Sequence, residues 1–169
     1  MCIRDSFENF ILVDIPLLQC EKTEIWARPV SPYASNGVGM LFLPEVDDEV
    51  VLQFINEDPC HPVIVGSLYS RKRKTPVSLD PKNNLKTIVT KNQLKITLDD
   101  DKKIITIGTP GENTLILDDD KKQILLSDAN KNKVCMDKNG IMVESGKDLI
   151  FKARGNVKTC LLYTSPSPR

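Results

Sequence analysis

Few residues of this chain are of a type and spacing that could do chemistry. Carboxylates come in two runs, Asp99-Asp100-Asp101 and Asp118-Asp119-Asp120, which could suggest calcium. Calcium β-roll loops need a Gly-Gly-x-Gly-x-Asp pattern, and the chain has none. Asp tolerates turn geometry, so both runs read as solvated turns. His61 is the one histidine and sits in a Pro-flanked loop without a second ligand at usable spacing. It reads as a surface residue. The cysteines at 2, 20, 60, 135 and 160 show no CxxC spacing. That argues against a zinc site and against a disulfide framework, and for isolated reduced thiols in a protein folded in the cytoplasm. Ser31, Ser35 and Cys60 lack the neighbouring base that a nucleophile needs. Trp26, Tyr33 and Phe42 could stack on bases, but no basic groove accompanies them. The run Arg71-Lys72-Arg73-Lys74 has no aromatic residue interleaved and reads as a solvated linker. The expectation is no catalytic residue, no metal and no cofactor.

Composition agrees with a chain that builds rather than reacts. Lys+Arg and Asp+Glu balance at 23 each, so no net field draws in nucleic acid or an anionic membrane. The apolar share is 40%, that of an ordered protein, but aromatic residues are only 5%, too few for a large core of its own. No run approaches the roughly 18 apolar residues needed to cross a bilayer as a helix. The start, residues 1–6, has no apolar stretch of the kind a Sec signal carries. Residues 1–6 and 160–169 break the pattern of the rest and resemble translated adapter sequence. Both are set aside as non-native ends, and the natural protein is expected to extend past them.

The elements that remain are strands. Residues 7–70 hold β-rich runs at 11–15, 24–28, 40–43, 49–54 and 62–68, with loop punctuation at 31–37. Five short strands without a helical period predict a small β-barrel. Residues 71–84, with Pro76, Pro81 and Asn83-Asn84, read as a linker.

Residues 85–159 repeat. Leu98-Asp99-Asp100-Asp101-Lys102-Lys103 recurs 19 residues later from Leu117, and Met136-Asp137-Lys138-Asn139-Gly140 follows at the same interval. Ile96, Leu115 and Val134 correspond, as do Leu98, Leu117 and Met136, and then Ile105, Ile124 and Val143. Ile107 and Leu126 complete the stripe. Each unit is predicted to be strand, tight turn, strand, with one apolar face. Asn139-Gly140 is a strong hairpin signal, with Asp101-Lys102 and Asp120-Lys121 in its place in the earlier units. Gly111 and Asn130 share a place that takes positive φ. After Ser145-Gly146-Lys147-Asp148 the strand pattern resumes at 149–153. An array this thin, with a single apolar face, cannot offset a backbone ordering cost of about 1–2 kcal/mol per residue. Identical stripes favour symmetric packing against sister copies. Three chains in a triangular prism would bury the stripes on a common axis.

The first region then becomes recognisable. Trp26-Ala27-Arg28, Pro32-Tyr33-Ala34, Phe42-Leu43-Pro44-Glu45-Val46, Asp48-Glu49-Val50, Pro62-Val63 and Gly66-Ser67-Leu68-Tyr69 run in order. This string resembles the OB-fold domain of the VgrG and phage baseplate spike family. The resemblance implies structural roles for Trp26, Arg28, Pro32, Tyr33, Pro44, Glu45, Asp48, Glu49, Pro62 and Gly66, and barrel packing for the aromatic residues. Pro29, Ser35 and Asp47 depart from the family pattern, the last two where Gly is usual. The implied architecture is all-β: a five-stranded OB-fold barrel, then an elongated β-strand region forming an intertwined trimeric β-helix or prism.

The implied function is a rigid, non-enzymatic spike of a contractile injection system. The implied partners are two sister copies, inner-tube and baseplate proteins, tip cap and effector proteins, and a target membrane touched in passing, with no nucleic acid. Such a spike assembles in the cytoplasm and is delivered outside or into a target cell, or sits in a virion baseplate. Two alternatives stand beside it. An OB-fold protein binding nucleic acid or glycan predicts salt-sensitive binding. A carbohydrate-active tail-spike β-helix needs paired carboxylates in a groove.

Overall fold

Proline and turn residues cut the first half into short strands, while the period-19 repeat makes the second half a run of hairpins. The computed structural model describes residues 2–7, 9–16 and 23–160. The chain divides into two units, Met1–Thr75 and Pro76–Arg169. Regular structure in the described residues is all strand apart from one 3-10 turn, Ile55–Glu57.

The first unit contains β1 (Cys2–Phe7), β2 (Phe10–Asp14), β3 (Glu24–Pro29), β4 (Ala34–Ser35), β5 (Val38–Gly39), β6 (Val50–Phe54) and β7 (Pro62–Ser67). The five longer strands form one sheet in the order β1-β2-β3-β7-β6. The β3–β7 pair is parallel, with Arg28 opposite Val63 and Pro29 opposite Ile64; its neighbours are antiparallel. Alternation sets the core: Ile11, Val13, Ala27 and Ile64 are almost fully buried, with Ile25, Leu43, Val50 and Leu52 packed around them.

The membership of this sheet differs from the sequence expectation. Residues 40–43 are not a strand. The short β4–β5 hairpin leads into them, and Leu41 and Phe42 stand 79% and 67% exposed. Only Leu43 of that run reaches the core. The fifth strand is β1, drawn from the end that composition had set apart, with a register break between Ile3 and Ser6. Of the other end, residue 160 is exposed and outside any strand, and 161–169 lie outside the described residues.

The second unit is a meander of seven antiparallel strands in chain order: β8 (Leu85–Val89), β9 (Lys95–Asp99), β10 (Ile104–Gly108), β11 (Thr114–Asp118), β12 (Gln123–Ser127), β13 (Lys133–Asp137) and β14 (Gly140–Glu144). It is one layer thick. Cys135 and Asp118 are its only buried residues among those described. Residues 149–153, expected to resume the pattern, form no strand.

The turns keep the 19-residue period but not the expected geometry. The β9–β10 and β11–β12 connections are four residues long, 100–103 and 119–122, with positive φ at Lys103 and Lys122. The β13–β14 turn has two residues, and there Gly140 takes φ 127°. At the opposite end, positive φ falls on Gln93, Glu112 and Lys131, one residue beyond the sites expected from Gly111 and Asn130. In each of these turns the i+3 amide reaches back to the carbonyl at i: Gln93 to Thr90, Glu112 to Thr109, Lys131 to Asp128. A left-handed i+3 residue then brings the chain back toward the next strand.

Candidate functional site: an aliphatic face on an open sheet

Register places all eleven stripe residues on one face of the meander. One row runs Ile96, Ile107, Leu115, Leu126, Val134, Val143, each directly opposite the next. The other runs Leu98, Ile105, Leu117, Ile124, Met136 and then Ile141. The sequence had matched Val143 to Ile105 and Ile124. The shorter last turn makes Ile141 their counterpart and moves Val143 into the first row. A shift of two preserves the face, which is why the stripe kept its composition. Ile88, opposite Ile96, extends the first row to β8. Ile88 and Ile141 were missed; their pairing partners would have revealed them.

This face is open. Leu126 is 52% exposed and Ile141 72%, and among the described residues no second layer lies over them. Cross-strand aliphatic pairs support each other laterally, by roughly 0.2–1 kcal/mol a pair, but they do not remove the outer half of each side chain from water.

The carboxylates at the rim hold the turns. Asp99, Asp118 and Asp137 end their strands at the repeat interval. Asp99 Oδ1 accepts the backbone N–H of Lys102 at 3.0 Å, Asp118 Oδ1 that of Lys121 at 2.9 Å, and Asp137 Oδ1 that of Asn139 at 2.7 Å. This is the Asx-turn device, in which a short carboxylate side chain stands in for a backbone acceptor. The Lys121 backbone N–H holds the Asp118 carboxyl below the usual aspartate value. At the opposite end Asp128 is lowered first by the Asn132 side-chain amide, at 2.8 Å. The Asp runs are thus not merely solvated: the first member of each run shapes a turn.

In the first unit the motif residues build loops. Ser31 Oγ donates to the carbonyls of Tyr33 at 3.0 Å and Met40 at 2.6 Å, tying the two legs of the β4–β5 hairpin. Pro32 lies between Ser31 and Tyr33. Pro44 leads into a second turn, where Asp48 Oδ2 accepts the Glu45 N–H at 2.9 Å and the Asp48 N–H reaches the Glu45 carbonyl at 3.1 Å. Between them Asp47 takes φ 68°, a conformation that favours glycine. Glu49 accepts from the Leu68 N–H, Pro62 pairs with Phe54, and Gly66 lies opposite Val51 beside a bulge. Trp26 and Arg28 point off the outer face of β3. The expected barrel packing of the aromatic residues is not met: Trp26, Tyr33 and Phe42 are 40%, 55% and 67% exposed. The inward places on β3 belong to Ile25 and Ala27, and Ala27 leaves no room for a ring.

The other polar groups described are surface pairs. His61 Nδ1 lies 2.9 Å from Asp58 Oδ2 on the surface, and Asp58 is lowered chiefly by the Cys60 backbone N–H. Among the described residues no group of three His, Cys, Asp or Glu side chains could hold a metal ion. A depression of about 480 Å³ is lined by Asp47, Glu49, Lys72 and Arg73, and Arg73 pairs with Asp48 at 3.5 Å. Its opposed charges neutralise one another.

Comparison with known proteins matches two separate stretches of the chain. Residues 9–69 match the type VI secretion system/phage-baseplate injector OB domain. Residues 103–157 match the phage baseplate V C-terminal trimerisation domain. The chain is 33% identical over 69 residues to the type VI secretion system spike protein VgrG3 of Vibrio cholerae, a match covering 41% of this chain and 7% of that protein. It is 32% identical over 68 residues to the spike protein VgrG4b of Pseudomonas aeruginosa, covering 40% and 8%. The actin cross-linking toxin VgrG1 of Vibrio cholerae shares 30% over 69 residues, covering 41% and 6%. The chain thus spans less than a tenth of the length of these curated relatives. With its OB unit in the described strand order and most of its length matched by these two domains, the chain belongs to the VgrG and phage-baseplate spike family.

Proposed function

We propose that this chain is part of the central spike of a contractile injection machine, a homotrimer whose second unit is a stiff needle. The observation that carries this reading is the open aliphatic face, continuous across the meander and uncovered by the described residues of one copy. Three such faces turned to a common axis bury one another, and the Ile, Leu, Val and Met stripe becomes the core of a prism. At about 25 cal/mol per Å² of apolar surface removed from water, a stripe of this length is a large driving force for assembly. Repetition makes each layer like the last, so the product is long and stiff.

The role is mechanical and not catalytic. The OB unit and the needle transmit thrust from an inner tube and baseplate, and tip and effector proteins ride on the assembly into a target envelope. Assembly takes place in the cytoplasm, and firing delivers the spike outside the cell, into a target cell, or from a virion baseplate. Carbene footprinting of the purified chain tests the burial directly. The stripe residues should be protected while Leu41 and Phe42 are labelled. Labelling of Ile124 and Leu126 to the level of Leu41 would overturn the reading.

A further inference from the structure

The two ends of the meander differ on the face that turns away from the stripe. In β9 and β10 the middle row of the reverse face is Thr97 and Thr106, beside Ile104 at the rim. From β11 onward the reverse row is Ile116, Leu125, Cys135 and Met142. Alternation marks a sheet with one wet face; unbroken apolar runs such as Leu115-Ile116-Leu117 mark strands covered on both faces. Along this row Cys135 is 6% exposed and Ile116 and Leu125 are half-buried, and the opening lies at Met142, 46% exposed.

The chain supplies a fitting segment just past β14. Asn132 Oδ1 accepts both the Ser145 hydroxyl at 3.0 Å and the Gly146 N–H at 3.1 Å. Asn132 is itself held by Asp128, which accepts its amide Nδ2 at 2.8 Å. A Cβ on Gly146 would lie 2.6 Å from the Asn130 carbonyl oxygen, so the turn is closely fitted. It directs the chain out of the meander. Leu149, Ile150 and Phe151 follow at 51%, 70% and 74% exposed, in no strand. Three successive apolar residues in an extended run again call for burial on both sides. Charge matches as well. Lys152, Arg154 and Lys158 follow this run with no acid among them, while the reverse face of β11–β14 carries Asp118, Asp137 and Glu144; Asp118 is paired with Lys121 at 3.2 Å and Glu144 with Lys133 at 3.9 Å, so the complementarity rests on Asp137.

We infer that in the assembled protein residues 149–153 of one copy lie on the Ile116–Met142 row of a neighbouring copy, giving the far end of the needle a second core outside the first. Within one copy Met142 and residues 149–151 stay exposed, whereas threefold symmetry brings a neighbour's segment to the same height on the needle. The inference rests on the trimeric reading above.

Two experiments on the full chain test it. In the first, p-benzoylphenylalanine replaces Phe151 in a chain co-expressed with a second, differently tagged copy. Ultraviolet light should join the two tags through residues 114–144. Adducts confined to one chain, adducts elsewhere, or none would overturn the inference. In the second, the double variant Ile150→Asp/Phe151→Asp should remain trimeric by light scattering, with amide exchange about tenfold faster in β11–β14 and unchanged in β9 and β10. A trimer with unchanged exchange in β11–β14 would overturn this inference alone. A monomer in the unsubstituted protein would overturn the trimeric reading itself.

Discussion

Ile64 and Ile124 are the same side chain in short strands, one with a parallel neighbour and one between antiparallel neighbours, yet one is 3% exposed and the other 43%. The difference lies in what the sheet does. In the first unit β3 pairs in parallel with β7, a crossover that wraps the sheet around Ile11, Val13, Ala27 and Ile64. In the second, each strand simply follows its neighbour in chain order. A meander of equal strands in chain order has no crossover to curl it over its own apolar face. The first unit builds a small core within one copy, while the aliphatic face of the second is left without one and, on the proposed reading, is covered by copies of itself.

The largest effect should come from a charge on the aliphatic face. Ile124→Asp puts a carboxylate beside Leu117 and Met136, and in the trimer three such carboxylates would meet near the axis. Assembly should be abolished, read as a fall to monomer mass in sedimentation. Persistence of the oligomer would remove the distinction between the units.

Ile64→Ala should do the converse. It should destabilise the OB unit by about 2–5 kcal/mol, seen as a lower first melting transition, and leave the oligomeric mass unchanged. Loss of the oligomer would mean that the first unit also holds the copies together.

Acid should act on both units through their turns. Asp58, Asp118 and Asp128 all titrate below the ordinary aspartate value of 3.8. Groups lowered by folding contribute stability that is fully present above that value and is lost as pH falls through their folded values. Melting temperature should therefore be flat above about pH 5 and drop below about pH 4. Asp118→Asn and Asp128→Asn should flatten that drop, and an unchanged acid limb would deny these turns their part in it.

The smallest change is a gain. Asp47 holds φ 68°. Asp47→Gly should relieve that conformation and raise stability by up to about 1 kcal/mol, measured by denaturant melting of the first unit. A loss would mean that the Asp47 side chain contributes more than its backbone costs.

The legible part of this protein was the part written in repeats. A 19-residue interval and the two-residue period of a strand fix the strand faces, and a two-residue change in turn length could not move the stripe off its face. Turn geometry was less legible. Gly and Asn mark where positive φ is easy, but here it falls on Glu112 and Lys131, because the turn's hydrogen bonds to Thr109 and Asp128 place it there. In the OB unit, residues 40–43 have β propensity and no edge to join, so composition misassigned them. Trp26 lies on the outer face of β3 because Ile25 and Ala27 occupy the inner one, a choice that hydrophobicity alone predicts wrongly. The hydrogen-bonding role of Asp99, Asp118 and Asp137 was visible only as a run of acids until the turn N–H groups were placed beside them.

The most direct measurement is the mass of the intact chain in solution by multi-angle light scattering. Three chains per particle is the predicted result, because the aliphatic face of the meander has nowhere else to go. A stably folded monomer, with that face in water and no partner, would contradict it.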